Sequence, residues 1–149
     1  MRLIMRCMAK HRAEARVAAE GAGALGALCL RNPDNARIMV AAGAHRMVFE
    51  AMRGHPGSAP VQRAGCMAVR NLVSRSHDLR KALLEEGAEA LLNAARAAHP
   101  VLGDHAYAAL RDLDLEVRGL AKPIKPPREG LDRGLDEDEE EDSDAEEKA

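Results

Sequence analysis

The feature that most constrains this chain is its self-similarity. Moved 44 positions along, Asp34, Gly43, Ala44 and His55-Pro56 fall on Asp78, Gly87, Ala88 and His99-Pro100. The apolar positions keep the same register: Met39 falls on Leu83, Met47 and Val48 on Leu91 and Leu92, and Leu25 and Leu28 on Val69 and Leu72. A third copy of the last part of the unit follows 41 residues on, where Val69-Arg70-Asn71-Leu72 meets Leu110-Arg111-Asp112-Leu113. A period in the low forties is the signature of a helical repeat, in which no unit buries its apolar face alone and each is completed by its neighbour.

Within one unit the punctuation divides three helices. Asn32 is a good N-cap and Pro33 has its φ pre-set for a first helical position, so a short helix follows from Asp34 to Ala42 and stops at Gly43. A second runs from Ala44 to Arg53 and is broken by Gly54-His55-Pro56-Gly57; a third runs from about Ala59 to Arg75. The next unit repeats the scheme, with Ser76 as cap and helices from Asp78 to Glu86, Ala88 to Ala98 and Asp104 to about Arg118. Gly43 and Gly87 are both expected at positive φ.

Upstream, Leu3, Ile4, Cys7 and Met8 share one helical face and match Met47, Val48, Ala51 and Met52, while His11 falls on His55. The chain therefore opens on the second helix of a unit, and residues 14 to 30 form the third, with Val17, Ala18, Gly21, Ala24, Leu25 and Leu28 expected inward. Such a first helix lacks the polar cap of a terminal repeat, which leads to the expectation that further units precede it or that the chain self-associates there. Gly21, Gly65 and Ala106 are expected to let neighbouring third helices approach closely.

Hydrophobic residues make up 46% of the chain but aromatic ones only 1%. The core must be built from Ala, Leu, Val and Met, which suits closely spaced helices and leads to the expectation of no strands. A length of 149 residues fits one shared core. Cys7, Cys29 and Cys66 lie in apolar helical runs without a CxxC pair or a secretory signal, so free, buried thiols and a cytoplasmic or nuclear location are expected. Arg2, Arg6, Lys10, Arg12 and Arg16 interrupt the N-terminal apolar run, and no membrane contact is expected. The net charge of −2 conceals a balance of +8 over residues 1–128 and −10 over residues 129–149.

The stretch NPDNARIMVAAGAHRMVFEAM, followed by a third helix containing MAVRNLV, resembles an armadillo repeat, and the resemblance spans about residues 2–120. It implies an all-α, armadillo-type right-handed α-solenoid of about two and two-thirds three-helix repeats. Residues 1–30 would be a partial repeat, 32–75 a full one and 76–118 the C-terminal one. It also implies that the third helices line a concave groove that holds a partner segment. The expected function is then a non-enzymatic protein-interaction scaffold, with a karyopherin-like transport adaptor binding a localisation peptide as the alternative.

Importin-type members of that family hold basic peptides with an Asn near the end of the third helix and a Trp four residues before it. Here the Asn position reads Ala27, Asn71 and Asp112, and the Trp position reads Gly23, Met67 and Ala108, so one of six matches. The residue before the Asn position is Gly26, Arg70 and Arg111, with Arg63 and Arg75 along the same surface. Arginine forks pair carboxylates, so an acidic segment is the expected ligand. The candidate groove residues are Arg63, Met67, Arg70, Asn71, Arg75, Ala108, Arg111 and Asp112.

Other chemistries find little support. His11, His55 and His99 recur in register, but successive units lie ~10 Å apart while zinc ligands sit ~2 Å from the metal, so they cannot share one ion. They read as helix-terminal residues that offset the dipole, and no metal or cofactor is expected. Cys66 beside Gly65 reads as a space-filling thiol, and no nucleophile elbow, HExxH or Gly-rich phosphate loop is present. One Tyr, one Phe and no Trp leave almost nothing for bases to stack on, which disfavours nucleic acid as a partner.

From Gly119 the repeat pattern stops. Pro123, Pro126 and Pro127 and then a dense acidic run cannot bury enough apolar surface to order the chain, so residues 119–149 are expected to be a disordered linker and acidic tail. Pro123 to Arg128 also fits a PxxPx+ ligand pattern that is common in linkers, and Ser143, ahead of Asp144 and Glu146, is a candidate phosphosite. The opposite charges lead to the expectation of an intramolecular contact of Asp136–Glu147 with Arg63, Arg70, Arg75 and Arg111. A flexible Gly119–Leu135 linker would span ~20 to 25 Å, enough to reach them.

Overall fold

The structure, a computed structural model, describes residues 1–115, all of whose regular elements are helical. In order they are α1 (Arg2–Lys10), α2 (Ala15–Cys29), α3 (Pro33–Ala41), α4 (Ala44–Gly54) and α5 (Ala59–Val73), then α6 (Arg80–Glu85), α7 (Ala88–Ala98) and α8 (Gly103–Asp112). Short 3-10 turns at His77–Leu79 and Pro100–Leu102 introduce α6 and α8. Among these residues no helix is long and apolar enough to cross a membrane. The linker and acidic tail, including Pro123–Arg128, Asp136–Glu147 and Ser143, lie outside the described residues.

The local punctuation acts as its chemistry dictates. The Asn32 side chain accepts a hydrogen bond from the Asn35 N–H at 3.0 Å, and Pro33 occupies the first turn of α3. Gly43 (φ 78°) and Gly87 (φ 90°) turn the chain from α3 into α4 and from α6 into α7, a conformation that costs an L-residue ~1 to 2 kcal/mol. Burial then recurs at the 44-residue spacing. Met8 and Met52, Leu25 and Val69, Cys29 and Val73, Met39 and Leu83, and Val48 and Leu92 are all buried in one continuous core. Equivalent helices lie beside one another: α2 packs along α5, α5 along α8, and α4 against both α1 and α7.

Several sequence expectations are corrected. Gly21 and Gly65 do not serve the contact between third helices. A Cβ on Gly21 would strike Met8, and one on Gly65 would strike Met52, so each glycine makes room for a methionine of the helix before its own. In the last unit Ala106 and the half-buried Arg96 stand at the corresponding positions. The close approach of third helices occurs instead at Gly26, where a Cβ would lie 2.9 Å from the Ala68 Cα and 3.3 Å from its N. Leu28, expected inward, is 42% exposed, and Cys7 is exposed while Cys29 and Cys66 are buried.

Ser76 does not cap by its side chain. It is buried, its hydroxyl has no hydrogen-bond partner among the described residues, and the segment after it starts as a 3-10 turn rather than an α-helix from Asp78. α8 ends at Asp112, short of the expected Arg118, because Asp114 turns left-handed (φ 67°). The Asp114 N–H then bonds the Arg111 carbonyl at 2.9 Å and the Leu115 N–H bonds the Leu110 carbonyl at 3.1 Å. That pair of bonds is the Schellman closure, formed here on an aspartate where glycine is usual.

The Gly26 contact is directly testable. Because the obstructing atoms belong to the Ala68 backbone, Gly26→Ala should lower stability by ~1 to 3 kcal/mol in urea unfolding. Gly23→Ala in the same helix, with nothing within 4 Å, should instead gain up to ~1 kcal/mol from helix propensity. Equal effects of the two substitutions would contradict the close approach.

Candidate functional site

The third helices α2, α5 and α8 form one side of the molecule, and between α2 and α5 runs an open groove of about 540 Å³. Glu20, Gly23 and Ala27 of α2 line it, with Leu30 just beyond the helix end. α5 contributes Arg63, Met67 and Asn71, and α8 contributes His105. The groove exists because Gly23 and Ala27 offer almost no side chain where α5 offers long ones. Its floor is partly apolar, with Met67 46% and Leu30 57% exposed.

Of the sequence-derived candidates, Arg63, Met67 and Asn71 meet in this groove. Arg70 is exposed on α5, Ala108 is half-buried on α8, and Arg111 and Asp112 lie at the end of α8. Arg75 is exposed beyond the end of α5 and is not among the groove-lining residues. Glu20 and His105 were missed, although each lies three residues before a position already singled out, Gly23 and Ala108. That spacing is one turn along the same helical face.

The polar groups at the groove are also structural ties between helices. The last four carbonyls of α2 have no partner within the helix and must find donors elsewhere. Asn71 Nδ2 donates to the Gly26 carbonyl at 3.1 Å and Asn35 Nδ2 to the Leu28 carbonyl at 3.0 Å. The N–H groups of Leu30 and Asn32 serve Ala27 and Cys29. Asp112, one repeat after Asn71, ties α8 to α5 by different chemistry. Its carboxylate accepts from Arg111 at 2.7 and 2.9 Å and pairs with Arg70 at 3.5 Å. Two of the candidate arginines therefore share one partly buried carboxylate.

Two histidines make a second set of ties. His55 and His99 follow α4 and α7, and each Nε2 lies 2.8 Å from a backbone carbonyl of the preceding unit, Arg12 and Pro56 respectively. A carbonyl only accepts, so at each ring Nε2 is the donor. The histidines are helix-terminal as expected, but what they contribute is a hydrogen bond across units. Among the described residues no group of three or more His, Cys, Asp or Glu is arranged to hold a metal ion.

Arg37 donates to Asp78 at 3.0 and 3.2 Å and Arg46 to Glu86 at 2.7 to 3.0 Å. The Arg37 guanidinium holds the Asp78 carboxyl below its usual range, and Arg46 does the same for Glu86, aided by His45. Burial pushes the Cys66 thiol up to about 12 and the Cys29 thiol up to about 11, which leaves neither as a thiolate at neutral pH. A scan of protein-family models and searches of curated proteins and of solved structures found no match to this chain.

The two depressed carboxylates set an acid limit on stability. Each binds its proton less tightly in the folded chain, so its contribution is present above the unfolded carboxylate value of about 4 and is lost as pH falls through the folded value. Urea midpoints should therefore decline below about pH 4, and the double variant Arg37→Gln, Arg46→Gln should decline less over that window. An unchanged slope in the double variant would show that these pairs do not couple the units.

Proposed function

We propose that this chain is a non-enzymatic interaction scaffold of the armadillo type, a right-handed α-solenoid that holds an extended protein segment along the groove between α2 and α5. The observation that carries this reading is the open groove itself, about 540 Å³, lined by the exposed apolar side chains of Met67 and Leu30 and by the charged Glu20 and Arg63. Exposed Met and Leu beside small residues offer area for a side chain of the ligand, and the Arg63 rim offers direction.

The ligand is in part acidic. Arg70 and Arg111 share the single carboxylate of Asp112, which leaves a positive excess beyond the groove lining, and Arg63 adds a charge within it. Glu20 is the counterweight at the α2 side of the groove. A segment with an apolar residue over Met67 and Leu30 and a carboxylate toward Arg63 satisfies both features. A basic localisation peptide of the karyopherin kind is served less well: the Asn71 amide is already tied to Gly26, and Gly23, Met67 and Ala108 provide no aromatic surface. Buried free thiols suit a reducing cytoplasm or nucleus. Asp136–Glu147 of the chain itself has the chemistry of the ligand and would compete for the same arginines.

Fluorescence anisotropy with a labelled peptide of alternating Leu and Glu, against its Leu and Lys counterpart, tests the reading. The acidic peptide should bind more tightly, lose affinity with added salt, and lose about tenfold on Arg63→Glu. Equal binding of both peptides, or binding indifferent to Arg63→Glu, would remove the groove from the account.

A further inference from the structure

We propose that the end of the molecule formed by α1 and the outer side of α2 is a docking surface for a further helical repeat of the same kind. The partner is a unit whose third helix presents a Gly or Ala to Ala24 and whose loop presents a backbone carbonyl to His11. This surface shares only Glu20 with the groove lining, and its test does not depend on the groove reading.

The 44-residue register supplies an internal control for the apolar part. Val48, Val61, Ala68 and Leu72 are each at most 2% exposed. Their counterparts one unit earlier are Ile4, Val17, Ala24 and Leu28, chemically the same or nearly so. Yet Leu28 is 42% exposed and Ile4, Val17 and Ala24 are only half-buried. Ile4, Val17 and Ala24 line a largely apolar depression of about 370 Å³. The difference is cover: α2 packs along α5, with Gly26 seated on Ala68, whereas Ala24 has no equivalent helix over it among the described residues. The element that covers Ala68 thus specifies what fits on Ala24, a third helix with a minimal side chain at the Gly26 position.

A polar feature points to the same occupant independently. His55 bonds the carbonyl of Arg12, the residue after His11, and His99 bonds the carbonyl of Pro56, the residue after His55. His11 holds the same register position, is exposed, and makes no such bond among the described residues. A repeat stacked on α1 in register would bring a carbonyl to it. Arg16 and Glu20 stand where the covered unit has Pro60 and Ala64, so the partner must also pair or clear these two charges, which gives the surface selectivity.

The experiment extends the full chain with a copy of residues 1–44 placed directly before Met1, so that the copy's Ala44 precedes Met1 as Ala44 precedes His45 in the chain. Hydrogen exchange in α1 and α2 should slow by ~10-fold or more, and the Nε2–H of His11 should become visible in slow exchange by NMR. A fusion of residues 1–42, two residues out of register, should give neither effect, and Val17→Glu in the acceptor unit should remove both while leaving the unextended chain equally stable. Unchanged exchange in the in-register fusion, or equal protection in the out-of-register one, would overturn the proposal. Sedimentation of the unextended chain is expected to show a monomer; a dimer dissociated by Val17→Glu would assign the face to a second copy and overturn it as well.

Discussion

The structure depends on how closely α2 can lie on α5. Gly26 removes the side chain that would hold the two backbones apart, and Ala68 receives it at a distance no Cβ tolerates. That approach brings Asn71 within reach of the Gly26 carbonyl and sets Arg63 and Met67 opposite the bare surface of Gly23 and Ala27. The candidate groove is thus a by-product of the packing that stabilises the fold. Between α5 and α8 the same register position holds Arg70, which stays exposed, and the tie is made by its guanidinium to Asp112.

The apolar and polar ties do different work. Burying a Leu, Val or Met side chain contributes ~1.5 to 3 kcal/mol, and such residues recur through every unit. An exposed ion pair such as Arg37 with Asp78 is screened by water and contributes little, and a hydrogen bond such as His55 to Arg12 contributes about 0.5 to 1.5 kcal/mol. Cohesion therefore comes from the core, while the polar bonds specify register: a slip of one helical turn keeps much of the apolar contact but breaks His55, His99, Asn71 and Arg46 at once.

What was legible in the sequence was local or repeated. Asn32, Pro33, Gly43 and Gly87 act within a few residues of themselves, and their turns and caps appear as their chemistry predicts. Buried positions such as Met39 and Leu83 were legible because a 44-residue copy confirms each of them. Gly26 was singled out only as the residue before the Asn position, and its packing role was hidden because repetition rewards positions that recur while its counterparts are Arg70 and Arg111. The end of α8 was hidden because an aspartate takes the left-handed turn, and Ser76 because its burial depends on what packs over it. Arg63, Met67 and Asn71 were found together, but that Arg70 and Arg111 converge on Asp112 follows only from the placement of α8 beside α5.

α2 and α5 stand or fall together although they belong to successive units. Native-state hydrogen exchange across a urea series measures this directly, because each amide reports the opening that exposes it. The slowest amides of α2 and α5, around Leu25 and Val69, should merge into a single isotherm with one slope and one midpoint. Separate isotherms, with α2 opening while α5 stays protected, would contradict it.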